Sequence, residues 1–314
     1  MNTTSQPSSL IERLLAGDSA ALARAISLVE NETPAAQDIL KAVQSKLGRA
    51  MLVGFTGSPG VGKSSLVNAY VRELRARGKT VGVVVVDPSS PFTRGAILGD
   101  RIRITDCAAD PDVFIRSLAA RGNVGGLSPA AARVVDVMDA AGKDVVILET
   151  VGAGQSEVEV AEVAHVKIVV SAPGLGDGVQ AIKAGILEIA DILVVNKADL
   201  PDADRTQNQL RRMLKLRRSE LAPVSVLPTC ATTGEGISAL ADAVEASFKS
   251  GSGAGRTDPL LRARRVLANS AAAAAKRWVL ESNDPRMTTL SEALQRGELG
   301  ADEAARSLLE VIHD

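Results

Sequence analysis

The clearest pattern along the chain is an alternation between short runs of consecutive apolar residues and longer segments in which apolar residues recur every three or four positions. Short runs rich in β-branched residues are typical of strands buried on both faces, and the spaced segments are typical of helices that cover such strands. The predicted strands are residues 51–55, 80–86, 144–148, 166–170, 192–195 and 224–227. The alternation predicts an α/β fold with a doubly wound, mostly parallel sheet.

Helical patterns without strands lie on both sides of this region. Asp18 and Thr33 are predicted N-caps and Pro34 a first helical residue, and the helices before the sheet are predicted at residues 10–15, 20–29 and 35–47. A Gly/Ser-rich segment, 249–258, precedes predicted helices at residues 260–280, 287–296 and 302–312. We therefore expect a helical N-terminal arm (1–48), a central α/β domain (49–248) and a helical C-terminal extension (249–314).

Composition narrows the class of protein. With 314 residues, 46% of them apolar, the chain can bury a sizeable core, and its formal charge of −1 gives no basic field for nucleic acid or an anionic membrane. A basic cluster is most simply the solvated face of a helix: Arg211, Arg212, Lys215, Arg217 and Arg218. No nucleic-acid partner is expected.

Cysteine usage and the termini indicate the compartment. Cys107 and Cys230 are far apart and form no C-x-x-C pair, which argues against a disulfide framework or a zinc site and suits the reduced cytosol. The polar segment 1–9 lacks a signal-peptide pattern, and no apolar run approaches ~18 residues. The expected protein is soluble and cytoplasmic, with no membrane association.

A phosphate-binding motif follows the first predicted strand. Residues 57–64 match G-x-x-x-x-G-K-[ST], and an amphipathic segment, 66–77, comes next. In this motif the glycines let backbone N–H groups face the phosphates, Lys63 approaches the β- and γ-phosphates, and the Ser64 hydroxyl binds Mg²⁺. The alternative is a plain glycine-rich turn, but the strand and helix around it favour nucleotide binding. The candidate residues are Gly57, Ser58, Pro59, Gly60, Val61, Gly62, Lys63, Ser64 and Ser65.

A base-reading motif follows the strand predicted at 192–195. Asn196, Lys197 and Asp199 form the N-K-x-D pattern, in which the aspartate accepts hydrogen bonds from the N1–H and the exocyclic amine of guanine. Adenine offers no such donor pair, so GTP is favoured over ATP. Taken alone, these residues could be an ordinary strand-to-helix turn. A turn at Cys230, Ala231 and Thr232 is predicted to close over the base, with a backbone N–H reaching the guanine carbonyl.

Carboxylates at predicted strand ends are candidate ligands of Mg²⁺. Asp87 directly follows the second strand and Glu149 the third, where a doubly wound sheet presents residues to its ligand. Gly152 is then placed to sense the γ-phosphate, and Gln155 follows it. The alternative for Asp87 is a helix cap or a turn with Pro88.

Taken together, the motifs resemble the methylmalonyl-CoA-mutase-associated GTPases, the MeaB or ArgK type, over nearly the whole chain. The matching segments are residues 25–30, 57–64, 86–91, 98–100, 121–126, 149–157 and 173–183. The resemblance implies a Mg²⁺-dependent GTPase of the signal-recognition/MinD/BioD class that binds GTP and GDP and is usually a homodimer. It also implies assistance to an adenosylcobalamin-dependent acyl-CoA mutase in cofactor loading and protection.

The resemblance extends to individual residues. Asp100 joins Asp87 and Glu149 among the carboxylates that organise metal and water, and residues 149–157 resemble a nucleotide-sensing switch. Residues 174–183 resemble a further switch that responds to the mutase, although a glycine-rich loop opening an ordinary helix is the alternative. Its candidate coupling residues are Asp177, Gln180 and Lys183. The C-terminal helices resemble the family's dimerisation region.

Several points stay open at the level of sequence. Asn123, Ala153 and Cys230 depart from the family pattern, and the cysteine puts a side-chain role at the guanine-closing turn in doubt. The candidates for an arginine finger are Arg94, Arg116 and Arg121.

Two other functions are the alternatives at this level. A kinase of amino-acid transport proteins would use ATP, against which Asp199 argues. A nickel-delivering GTPase would need clustered Cys and His, whereas this chain offers His165, His313 and two isolated cysteines. Both histidines are expected to be structural or surface residues.

Overall fold

A computed structural model gives the structure of the protein. Within its described residues, seven parallel strands form one central sheet. The described residues are 7–87, 107, 109–119, 129–150, 163–174, 190–215, 224–251, 259–282 and 284–313. The strands are β1 (Met51–Thr56), β2 (Val81–Asp87), β3 (Val113–Ala119), β4 (Val145–Thr150), β5 (Val166–Ser171), β6 (Ile192–Val195) and β7 (Ser225–Pro228). Their order, β3-β2-β4-β1-β5-β6-β7, confirms the predicted doubly wound α/β fold.

The edge strand β3 is the strand that the apolar pattern does not predict. Its seven residues include Arg116 and Ser117, which interrupt the apolar run. In the structure Arg116 makes an ion pair with Glu30 on a helix far away in sequence. A pattern of neighbouring residues does not predict this strand, because the contact that neutralises its charged residue comes from a distant part of the chain.

Helices cover both faces of the sheet. On one face, α4 (Lys63–Ala76) and α7 (Ile237–Lys249) pack against the central strands through a core that includes Leu66, Tyr70 and Leu240. On the other face lie α1 (Pro7–Leu15), α2 (Ser19–Glu30), α3 (Pro34–Val43) and α5 (Pro129–Ala140). Helix α4 begins at Lys63, within the phosphate-binding motif, and contains most of the amphipathic segment predicted at residues 66–77.

The N-terminal helices are part of the core on their face of the sheet. Leu14, Ile26 and Ile39 are buried there with Val84 and Leu148 of the strands. Asp18 caps α2 by accepting the Ala21 N–H, as predicted. Pro34 opens α3 as predicted.

The end of this arm differs from the prediction. Thr33 is the N-cap residue of α3, as predicted, although its hydroxyl donates to the Leu28 carbonyl and accepts no helical N–H. Helix α3 ends at Val43 rather than Leu47, and a 3₁₀ turn (Gln44–Lys46) follows. The chain turns there because the buried Asp139 of α5 accepts the N–H groups of the next residues, Gly48, Arg49 and Ala50.

Helix α6 (Ala203–Lys215) follows β6 and packs on β6 and β7 through Leu210. Its basic residues Arg211, Arg212 and Lys215 are exposed, which confirms the predicted solvated face for them. Arg217 and Arg218 lie outside the described residues.

The chain forms two compact units, residues 1–257 and 258–314. The second unit contains α8 (Pro259–Glu281), α9 (Pro285–Gln295) and α10 (Ala301–His313), which agree closely with the helices predicted there. Asp284 caps α9 by accepting the Arg286 N–H. Within the described segments, no helix combines the length and apolarity that crossing a membrane requires.

Candidate functional site

The loop between β1 and α4 folds around the side chain of Lys63. Its Nζ donates to the carbonyl oxygens of Gly57, at 2.7 Å, and Ser58, at 3.1 Å. Gly57 has a φ of +140°, and a Cβ on it would lie 2.2 Å from the Val170 carbonyl oxygen of β5. The loop therefore requires glycine here. It holds a buried ammonium group at the N-terminus of a helix, a place that favours anions.

A serine–carboxylate contact lies beside this loop. The Ser64 hydroxyl donates to Glu149 Oε1 at 2.6 Å, and Glu149 is fully buried. Parallel pairing of β1 and β4 places Glu149 opposite Phe55, so the carboxylate lies near the start of the loop. Glu149 is the penultimate residue of β4 rather than the residue after it. Both oxygens are hard donors, so this pair fits the chemistry of Mg²⁺.

Asn196 joins the phosphate loop to the two loops predicted to hold the base. Its buried amide donates through Nδ2 to the Val61 carbonyl at 2.9 Å. Its Oδ1 accepts the Ala231 N–H and the Thr229 hydroxyl, each at 3.2 Å. Because a side-chain amide on one of these segments bonds the other two, the predicted phosphate and base portions of the site have a defined spacing.

Lys197 provides a second link between these loops. Its backbone has a φ of +58°, in the left-handed region, and its Nζ donates to the Gly60 carbonyl at 2.9 Å. Gly62, with a φ of +88°, lies against Asn196, and a Cβ there would be 2.6 Å from the Asn196 Nδ2. The close approach of the loops depends on this glycine.

The predicted base-reading residues line a cavity of about 210 Å³. It is lined by Gly62, Ser65, Asn196, Lys197, Asp199, Leu200, Cys230, Ala231 and Thr232. Eight of these nine residues are predicted from the motifs, and the structure brings them together. Leu200 is the residue that the motifs miss. The signal for it is that an apolar residue directly follows Asp199. Leu200 is exposed in the structure, where its side chain would offer an apolar surface to a planar base.

Within the cavity, Cys230 contacts the carboxylate predicted to recognise guanine. Its Sγ donates to Asp199 Oδ1 at 3.1 Å and lies 3.2 Å from the Thr232 hydroxyl. The sequence leaves a side-chain role at this turn in doubt, and the structure shows a direct contact. The other cysteine, Cys107, is buried near Asn68 of α4.

Several predicted site residues have no described side chain. Asp87 is the last residue of β2, and its backbone alone is described. Outside the described residues lie Asp100, Gly152, Gln155, Asp177, Gln180 and Lys183, together with Arg94, Arg121, Asn123 and Ala153.

Two further residues have structural contacts. Arg116 donates to Glu30 and, at 3.3 Å, to the Ser27 hydroxyl, both on α2, so this arginine-finger candidate is engaged with the N-terminal arm. His165 Nδ1 accepts the Leu52 N–H at 3.0 Å, which confirms a structural role. Among described residues, no group of three or more His, Cys, Asp or Glu residues is placed to hold a metal.

Comparison with known proteins gives one consistent family. The family model described as methylmalonyl-CoA mutase-associated GTPase MeaB matches residues 22–281. A Pyrococcus horikoshii protein with a GTPase name is 48% identical over 235 residues, 74% of each chain. The Caenorhabditis elegans protein named methylmalonic aciduria type A homolog, mitochondrial, is 39% identical over 230 residues, 68% of this chain and 58% of that protein.

A solved structure agrees with the fold. The crystal structure titled LAO/AO transport system kinase superposes over 100% of both chains, with a TM-score of 0.73 and 27% identity.

Proposed function

Because the chain belongs to the methylmalonyl-CoA mutase-associated GTPase family MeaB, we propose that its GTP hydrolysis, which the family implies, serves an adenosylcobalamin-dependent acyl-CoA mutase. The observation that carries the nucleotide part is the bonding of Asn196, on one proposed base loop, to the phosphate loop and to the other base loop at residues 229–231. This contact sets one distance between a phosphate cradle and a base cavity. Such an arrangement suits a whole guanine nucleotide.

Guanine recognition follows from Asp199. Its carboxylate, at the mouth of the cavity, would accept the N1–H and the exocyclic amine of guanine. Adenine would leave the carboxylate without these donors, at a cost of roughly 10⁴-fold in comparable polar sites. The Ala231 N–H already bonds Asn196, and it lies on the turn proposed to approach the guanine carbonyl.

Phosphate binding follows from the loop and its lysine. On nucleotide binding, Lys63 would exchange its bonds to the Gly57 and Ser58 carbonyls for phosphate oxygens, while loop N–H groups turn to the same anion. Ser64 and Glu149, with Asp87 and Asp100, would hold Mg²⁺, which supplies charge neutralisation at the β- and γ-phosphates. Gly152 and Gln155 are proposed to sense the γ-phosphate and orient water.

The cellular role is proposed from the family and from the C. elegans relative. The family's description names methylmalonyl-CoA mutase, and the relative's name refers to methylmalonic aciduria. We propose that nucleotide state changes the affinity for a cobalamin-dependent mutase and thereby times cofactor loading and protection. Asp177, Gln180 and Lys183 are the proposed coupling residues.

A homodimer is proposed through the second unit. Helix α8 exposes Leu267 and Leu280, 70% and 74% accessible, and α9 exposes Leu294. Contiguous exposed apolar patches mark surfaces that associate, and we propose that these leucines belong to one. Analytical ultracentrifugation of the wild type and a Leu267→Glu variant tests this: the wild type should sediment as a dimer and the variant should shift toward monomer. A monomeric wild type would contradict it.

The base assignment is tested with Asp199→Asn. An asparagine presents N–H donors to the exocyclic amine of guanine, whereas xanthine has a carbonyl there that accepts them. We expect GTP affinity to fall by roughly 100-fold or more and XTP affinity to rise. Titration of both nucleotides into wild type and variant measures this, and unchanged GTP affinity in the variant would refute the assignment.

The partner role is tested with a purified cobalamin-dependent mutase. We expect its affinity for this protein to differ between GDP and a non-hydrolysable GTP analogue, and GTP turnover to rise when it is added. A Lys183→Ala variant should keep intrinsic turnover and lose this response. Nucleotide-independent affinity with active protein would contradict the role. Transfer of phosphate from ATP to a transport protein would instead favour the kinase function.

A further inference from the structure

Cys230 is buried, with 2% of its surface accessible, yet it forms part of the wall of the base cavity. Its Sγ lies 3.1 Å from Asp199 Oδ1. Among the described residues, the hydrogen bond accepted by the Asp199 side chain comes from this thiol. The carboxylate itself belongs to an exposed residue after β6.

The direction of the hydrogen bonds follows from the groups involved. An ionised carboxylate only accepts, so the thiol proton points to Asp199. A thiol has a single proton, so the Thr232 hydroxyl, 3.2 Å from the sulfur, must be the donor in that contact. The result is a short relay in which Thr232 donates to Cys230 and Cys230 donates to Asp199. Each bond polarises the next, which strengthens the donor facing the carboxylate.

The thiol is held on a well-braced turn. The Cys230 N–H donates to the Glu235 carbonyl at 3.0 Å, and the Gly234 N–H returns to the Cys230 carbonyl at 2.9 Å. Gly236, with a φ of +75°, closes the turn so tightly that a Cβ there would lie 2.2 Å from the Pro228 carbonyl oxygen. A braced donor therefore meets a carboxylate on an exposed loop.

We propose that Cys230 is a positioning residue that sets the orientation of Asp199 for guanine. Held through Oδ1, the carboxylate keeps its remaining lone pairs aimed into the cavity before the base arrives. Without the thiol, that orientation must be acquired on binding, which costs affinity. The proposal rests on the proposed function, because it assumes that Asp199 recognises guanine.

The experiment compares GDP, IDP and ADP binding by calorimetry in wild type, Cys230→Ala and Cys230→Ser. Inosine lacks the exocyclic amine and adenine lacks both donors, so the three bases grade the contribution of the carboxylate. In Cys230→Ala we expect GDP affinity to fall about 5- to 10-fold, IDP affinity to fall less and ADP affinity to stay unchanged. Serine retains a donor at the same position, so Cys230→Ser should restore GDP affinity.

Two further variants sharpen the comparison. Cys107→Ala removes the other buried thiol, which contacts Asn68 and not the cavity, and should leave the selectivity among the three nucleotides unchanged. Thr232→Val keeps the side-chain volume but removes the first donor of the relay, and should weaken GDP about 2- to 3-fold. It provides a test that does not depend on the folding of Cys230→Ala.

The outcomes separate the two claims. Three outcomes would overturn the positioning role. They are an undiminished GDP affinity in Cys230→Ala, equal losses of affinity for all three nucleotides in that variant, and a Cys230→Ser variant that does not restore GDP affinity. A wild type that binds GDP no more tightly than ADP would overturn the guanine assignment itself, and the positioning role with it.

Discussion

At the residue scale, buried polar side chains join segments that are distant in sequence by bonding their backbone groups, both in the site and outside it. Asn196 bonds the backbone of two other loops, and Asp139 accepts three successive N–H groups where the N-terminal arm meets β1. Buried polar groups of this kind cost free energy unless they are paired. They therefore specify one arrangement of the chain rather than adding much net stability.

Gly62 gives the most specific prediction at this scale. A Gly62→Ala side chain would collide with the Asn196 amide, whereas a Cβ on Gly60, also at positive φ, would have no atom within 4 Å. Both alanines bear backbone strain of about 1 kcal/mol or more. We expect GDP affinity to fall roughly 10-fold further in Gly62→Ala than in Gly60→Ala. Equal losses would show that the contact with Asn196 is unimportant.

Replacement of Tyr70 is predicted to leave the stability of the protein unchanged or to raise it. It is fully buried against Phe55, its hydroxyl has no hydrogen-bond partner among the described residues, and burial raises the pKa of its phenol. Removing an unsatisfied polar group is close to neutral or stabilising. Urea unfolding of Tyr70→Phe should give a free energy equal to the wild type or higher by up to about 1 kcal/mol. A free energy of unfolding below that of the wild type would reveal a partner for the hydroxyl.

Sequence motifs predict those residues of the candidate site whose place is fixed by the strand just before them. The phosphate loop, Asn196, Lys197 and Asp199 carry fixed spacing, because each must follow a strand directly. The contact between Cys230 and Asp199 joins residues 31 positions apart, and no spacing rule reports it. The same limit applies to Leu200, whose importance depends on the cavity it lines.

At the scale of elements, strands buried on both faces could be predicted well because apolar runs leave few alternatives. Strand β3 escapes prediction because Arg116 and Ser117 interrupt its apolar run, and the partner of Arg116, Glu30 of α2, is distant in sequence. The end of α3 is misplaced for a related reason, since Asp139, 91 residues from Gly48, turns the chain. Contacts distant in sequence decide these boundaries.

One ion-pair cluster ties α4 to the segment before β3. Two hydrogen bonds hold the pKa of the Asp110 carboxyl below its usual value. The larger effect comes from the Arg75 guanidinium and the smaller from the Asp112 N–H. A lowered pKa in the folded state means that this stabilisation is full above the unfolded pKa of about 3.9 and is lost as pH falls through the folded value. Acid unfolding should therefore be less steep in Asp110→Asn, and identical profiles would contradict the contribution.

The N-terminal arm is expected to be essential to stability because its apolar residues share a core with the sheet. Ile26 is fully buried, whereas Arg24 on the same helix is exposed. Ile26→Ala should lower the free energy of unfolding by about 2–5 kcal/mol and Arg24→Ala by no more than about 0.5 kcal/mol. Denaturant melts of the pair test this, and similar values would mean that the arm contributes little to the core.

At the scale of the whole molecule, the first unit contains every described residue of the proposed nucleotide site, and the described part of the second consists of helices with exposed leucines. This division suggests separate tasks for the two units. Nucleotide binding should raise the thermal stability of the first unit, because a ligand that binds only the folded state stabilises it by mass action.

The most direct test of the account is calorimetric titration of the wild-type protein with non-hydrolysable analogues of GTP and ATP in the presence of Mg²⁺. The two ligands share phosphates and sugar, so their difference reports Asp199 and its surroundings alone. We predict that the guanine analogue binds roughly 100-fold more tightly or better. Equal affinities would contradict the assignment of the cavity to guanine, and with it the proposed coupling of GTP to a mutase.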